Sequence, residues 1–107
     1  MAGKTKFSLK PNPTFKLAVP LPVPGGGYSA VQFTFKHRTK DEFKDFIENQ
    51  MTDMEDTEMV LAVASGWELE EPFDEEHITT LVNNYVGSAR AVFTAYIEEL
   101  AKARTGN

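Results

Sequence analysis

Two hydrophobic periodicities meet in this chain. The switch between them near Thr39 constrains the fold more than any other feature. From Phe15 to Val23 the odd positions hold Phe15, Leu17, Val19, Leu21 and Val23, and the even positions hold Lys16, Ala18, Pro20 and Pro22. That is the period-two pattern of a strand with one buried face. Val31, Phe33 and Phe35 repeat it, with Gln32, Thr34 and Lys36 opposite. Pro24-Gly25-Gly26-Gly27 separates the two runs, so the pair reads as a hairpin. Pro20 and Pro22 lack the amide a ladder needs, which places the first strand at an edge. Phe7 and Leu9 suggest a short extra strand before Lys10-Pro11-Asn12-Pro13.

Beyond Thr39 the spacing becomes helical. Thr39 and Glu42 form a capping box, and Phe43, Phe46 and Ile47 make one stripe, so a first helix is expected from Lys40 to about Gln50. Met59, Val60, Ala62 and Val63 suggest a short second helix, ended by Gly66 in a left-handed cap. Asp74 suits the N-cap of a third, with Glu75 and Glu76 well placed in its first turn. From Ile78 to Leu100 apolar residues keep helical spacing, which predicts one unbroken helix to about Ala103, roughly 40 Å long. The expected fold is α+β: an N-terminal hairpin packed on three helices, the last one long. No repeat or linker interrupts it, so residues 1–107 read as a single domain.

Composition narrows the function. The sequence has 107 residues, 41% hydrophobic and 25% charged, within the ordinary globular range. Without cysteine there are no disulfides, thiol nucleophiles or thiolate metal sites, and a reducing cytoplasm is favoured. No apolar run approaches the ~20 residues of a membrane helix, and no apolar stretch follows Met-Ala-Gly-Lys-Thr-Lys as a signal peptide would need. Residues 1–40 carry seven bases and no acid, whereas residues 41–107 carry all 16 acids and four bases. This split fits lysines on an exposed sheet face, head-to-tail contact between subunits, or a basic nucleic-acid surface. The last is disfavoured, because Phe15, Phe33 and Phe35 share the buried stripe and cannot serve as exposed stacking platforms.

Catalytic patterns are missing. His37 and His77 stand apart, without a second ligand at metal spacing; His77 reads as simply solvated. Val63 stands where a nucleophile elbow at Ser65-Gly66 would need glycine. Gly25-Gly26-Gly27 precedes a strand and lacks the Lys-Ser/Thr of a phosphate loop. The carboxylates from Glu68 to Glu76 miss the calcium-loop spacing and read as a solvated connector. The expectation is a protein with no enzymatic activity, cofactor or metal.

Two features remain. Gly66, Trp67, Leu69, Pro72 and Phe73 crowd large apolar groups into a link between helices, where such residues normally plug a joint. The outer face of the last helix is poor in charge, and Thr80, Asn83, Asn84, Gly87, Ala91, Thr94 and Ala95 are its candidate contact residues. Gly87, Ala91 and Ala95 recur every four residues, so another backbone could approach closely. That face is expected to mediate self-association unless the same chain covers it.

Several segments together resemble the small tail-assembly chaperones of long-tailed bacteriophages: Lys6-Phe7-Ser8-Leu9-Lys10-Pro11-Asn12-Pro13-Thr14-Phe15, Phe33-Thr34-Phe35-Lys36-His37-Arg38-Thr39, Gly66-Trp67-Glu68-Leu69 through Pro72-Phe73, and Asn84-Tyr85. The resemblance implies a non-catalytic protein that binds the helical tape-measure protein in the host cytoplasm, keeps it soluble before the tail tube polymerises, and is absent from the mature virion. It also implies homo-oligomers, and a longer frameshifted form that recruits tail-tube protein; this chain would be the short form. Nucleic acid and membrane are not expected partners. The alternative is a structural tail or head–tail connector subunit, although a tube protein should be mostly β.

Overall fold

The computed structural model describes residues 3–102. Strands β1 (Thr14–Val23) and β2 (Gly27–Lys36) form the expected hairpin, in register from Thr14 opposite Lys36 to Val23 opposite Gly27. The turn places Pro24 before Gly25, whose φ is +78°, and the Gly26 amide donates to the Val23 carbonyl at 2.8 Å. This is type II turn chemistry, with proline presetting one φ and glycine supplying the positive one. β1 is at an edge of the sheet, as its prolines require.

A third strand, β3 (Ala64–Trp67), pairs antiparallel with β2 and gives the order β1-β2-β3. It replaces the expected cap at Gly66. Helix α2 (Asp56–Val63) stops at Ala64, and the chain enters the sheet directly. Thr34 faces Gly66 and Phe35 faces Ala64, so exposed Ser65 is the extra residue of a bulge. The extra strand expected at Phe7 and Leu9 is not formed. Residues 3–13 lie outside the sheet, with Phe7 78% and Leu9 89% exposed.

Helix α1 (Lys40–Asp45) starts at the expected capping box, in which the Glu42 amide donates to Thr39 Oγ1 at 3.1 Å and the Thr39 amide to Glu42 Oε1 at 2.8 Å. It runs on through a π-helical turn (Phe46–Gln50) and a 3-10 turn (Met51–Asp53). A second capping box, Glu55 with Glu58, opens α2.

The long helix is broken, contrary to the periodicity. It forms α3 (Glu75–Asn84) and α4 (Ser88–Ala101), with Tyr85 extended at φ −125°, ψ 90°. Val86-Gly87-Ser88 is a weak helix-forming run. The break lets α3 pack on α2 while α4 packs on both α2 and β1. Gly87 packs closely under Pro22: a Cβ there would meet the proline Cγ at 3.0 Å, so a larger residue would require the ring to give way. The expected terminus near Ala103 lies outside the described residues.

The hairpin's alternation is the core's. Val19, Leu21, Phe33 and Phe35 are buried, and Phe15, Leu17 and Val31 are half-buried against them. Opposite lie Phe46, Val60, Val63, Ile78, Val92 and Tyr96. Phe15, Phe35 and Phe43 ring Tyr96, at centroid distances of 6.3, 5.4 and 6.4 Å. Aromatic pairs of this geometry add to the burial of their area.

Candidate protein-interaction surface

Trp67 ends β3 half-buried, with its ring edge-on to Phe33 at 6.0 Å and to Phe73 at 5.1 Å. Its indole N–H donates to the Glu71 carbonyl at 2.7 Å and so closes the connector into a compact turn. The turn carries Leu69 outward, and Pro72 is exposed beside it. Of the five connector residues singled out in the sequence, Trp67 and Phe73 form the plug, Gly66 pairs in the sheet and Leu69 is presented to solvent.

Asp74 caps α3. Its Oδ1 accepts from the His77 amide at 2.9 Å and bonds His77 Nδ1 at 2.7 Å. His77 is therefore bonded to a carboxylate, not simply solvated. Those bonds hold the Asp74 carboxyl below its ordinary range, with the His77 amide the main cause. The same carboxylate raises the imidazole pKa.

The seven candidate contact residues of the last helix do not form one surface. The turn at Tyr85–Gly87 divides them. Thr80 and Asn84 line a hollow of about 300 Å³ together with Trp67, Leu69, Leu81 and Tyr85. Gly87, Ala91, Thr94 and Ala95 line a separate groove of about 390 Å³, whose other wall is Pro20, Pro22 and Tyr28. Asn83 is exposed and lines neither. The hairpin's edge thus covers part of the small-residue row within the same chain, but Tyr28 and Thr94 remain exposed.

Sequence reasoning missed a third hollow, of about 250 Å³. Leu21, Val23, Val31, Leu69, Leu81 and Tyr85 line it, and Leu69, Leu81 and Tyr85 also wall the 300 Å³ hollow. Its strand residues belong to the inward stripe: Leu21 is buried at its floor, and Val23 and Val31 are half-buried. Leu69 and Tyr85, and Val86 next to Tyr85 in the chain, are exposed large apolar residues, Val86 at 86%.

The charge split is partly satisfied within the chain. Lys16 pairs with Glu68 at 3.2 Å, Lys36 donates to the Leu61 carbonyl, and Arg38 donates to the Ala62 carbonyl and the Tyr96 hydroxyl. Lys4, Lys6 and Lys10 lie exposed on the N-terminal arm. Among the described residues, no three His, Asp or Glu side chains gather as metal ligands, and no helix is long and apolar enough to cross a membrane.

These features define a class: a small α+β domain whose distinguishing surfaces are shallow apolar hollows. The phage tail assembly chaperone profile matches residues 1–107, and the chain belongs to that family. Its role is accordingly in tail assembly. No curated protein and no solved structure matches it.

Proposed function

We propose that this chain, folded as one domain, binds the tape-measure protein in the host cytoplasm and keeps it soluble and extended until the tail tube assembles around it. It does so without nucleotide, metal or cofactor, by covering apolar helical surface, and it leaves before the virion is complete. It also associates with itself, and a longer frameshifted form brings in tail-tube subunits. The observation that carries this reading is the family match along all 107 residues.

The groove between α4 and β1 is the surface we assign to the tape-measure helix. Ala91 and Ala95 are small, with exposed Thr94 between them, so a helix can come close along this groove and gather dispersion contacts. Pro20 and Pro22 keep this edge from pairing with stray strands. Co-purification from cells making both proteins tests the contact. Wild type should retain the tape-measure protein and Ala91→Glu should lose it. Equal retention would remove this groove from the account. Purified virions should contain none of this chain; its stoichiometric presence would favour a structural tail subunit.

A further inference from the structure

We propose that the N-terminal arm of one chain docks in the paired hollows of a second copy, with Phe7 and Leu9 as the anchors. This rests on the self-association proposed above and gives it a geometry. The arm carries two large apolar side chains that are among the most exposed in the molecule, at 78% and 89%. They stand at alternate positions, so in extended chain they point to the same side about 7 Å apart. The receiving surface has matching features: two adjoining hollows of about 250 and 300 Å³ that share the wall of Leu69, Leu81 and Tyr85.

Charge sets the direction of docking. The arm's Lys4, Lys6 and Lys10 are accompanied by no acid. Leu69 is flanked by Glu68 and Glu70, and Glu71 lines the larger hollow. Glu68 already pairs with Lys16, whereas Glu70 and Glu71 make no ion pair among the described residues. A basic arm is thus drawn to the acidic connector, and two copies do not meet arm to arm.

The arm does not fill its own hollows: Phe7 and Leu9 line neither of them and stand 78% and 89% exposed. It leaves the sheet at Pro13, whose carbonyl accepts from the His37 amide at the end of the hairpin away from the turn. Leu21 lies eight residues further along β1, about 26 Å away at strand rise. Leu9 is four residues from Pro13 and reaches about 14 Å, and Phe7 reaches about 21 Å. Both fall short of Leu21, and neither side chain enters the nearer hollow at Trp67 of its own chain, which leaves the arm free for another molecule. Exchanged reciprocally, such a contact gives a two-fold dimer; repeated head-to-tail, it gives a ring, or a filament where the rotation does not close.

Two one-sided variants test this in sedimentation. Phe7→Ser with Leu9→Ser removes the anchors at constant charge; Leu69→Lys blocks the hollow at an exposed position. Each alone should weaken self-association about a hundredfold or more, the scale expected for losing apolar anchors. Mixed together they should form a one-to-one pair, because the mixture retains one intact arm and one intact hollow. Association of either variant at wild-type strength would overturn the arm contact while leaving self-association in place, as would failure of the mixture to pair. A wild type that stays monomeric at high concentration would overturn both.

Discussion

Arg38 donates to the Tyr96 hydroxyl at 3.0 Å while its guanidinium carbon lies 4.0 Å from the centre of the Phe46 ring. The same hydroxyl donates to the Lys36 carbonyl at 2.8 Å, so one buried phenol ties α4 to the end of β2. Burial pushes its pKa up, and Arg38 opposes that rise. Tyr96→Phe keeps the ring stack and removes both bonds. It should cost about 1–2 kcal/mol, the usual loss when polar partners are left unpaired. Urea unfolding with an unchanged slope checks this, and an unshifted midpoint would mean that the bonds contribute nothing.

Ser88 is the counterexample. Its hydroxyl is fully buried in the first turn of α4 and has no hydrogen-bond partner among the described residues. Ser88→Ala should therefore be neutral or stabilising by up to about 1 kcal/mol, where most core substitutions destabilise. Thermal unfolding of the variant reads the sign directly; a clear loss would show that the hydroxyl is satisfied.

Asp74 and His77 give a pH dependence with opposite limits. The raised imidazole pKa contributes stability that is fully present below the unfolded value and fades as pH rises through the folded one. The lowered carboxyl pKa contributes stability present above its unfolded value, lost as pH falls through the folded one. The pair is strongest between about pH 4 and 6.5, bounded by the unfolded values. Asp74→Asn keeps a capping oxygen and removes the charge, so the His77 titration followed by NMR should move back towards lower pH. An unmoved titration would contradict the assignment.

The break between α3 and α4 is visible to hydrogen exchange. The amides of Val86 and Gly87 make no backbone bond among the described residues, whereas Ser88 donates to Tyr85 at 2.9 Å. Val86 and Gly87 should exchange fast between two protected helices. Continuous protection from Ile78 to Ala101 would restore the unbroken helix.

That break marks the limit of what residues alone disclosed. The hairpin was legible because its apolar positions alternate over two full strands and its turn carries Pro-Gly. The caps at Thr39 and Asp74 were legible because their side chains act within three residues. β3 was not, because Ala64-Ser65-Gly66-Trp67 is too short for alternation to show and follows a helical stripe. The turn at Tyr85–Gly87 was not either. Tyr85 and Val86 continue the apolar spacing, and the weak helix formers at Val86–Ser88 yield where α4 packs on β1 with Gly87 under Pro22. The contact face drawn on a straight helix thus became two surfaces. The hollow at Leu69 and Tyr85 needs residues from β1, β2, the connector and α3 together, so no local pattern announces it.

If this chain binds the tape-measure protein as proposed, it keeps that protein in solution. The direct measurement is the soluble fraction of that protein expressed alone, with wild type, and with Ala91→Glu. Wild type should raise the soluble fraction severalfold without added nucleotide or metal, and the variant should not. Equal solubility with and without this chain would contradict the account.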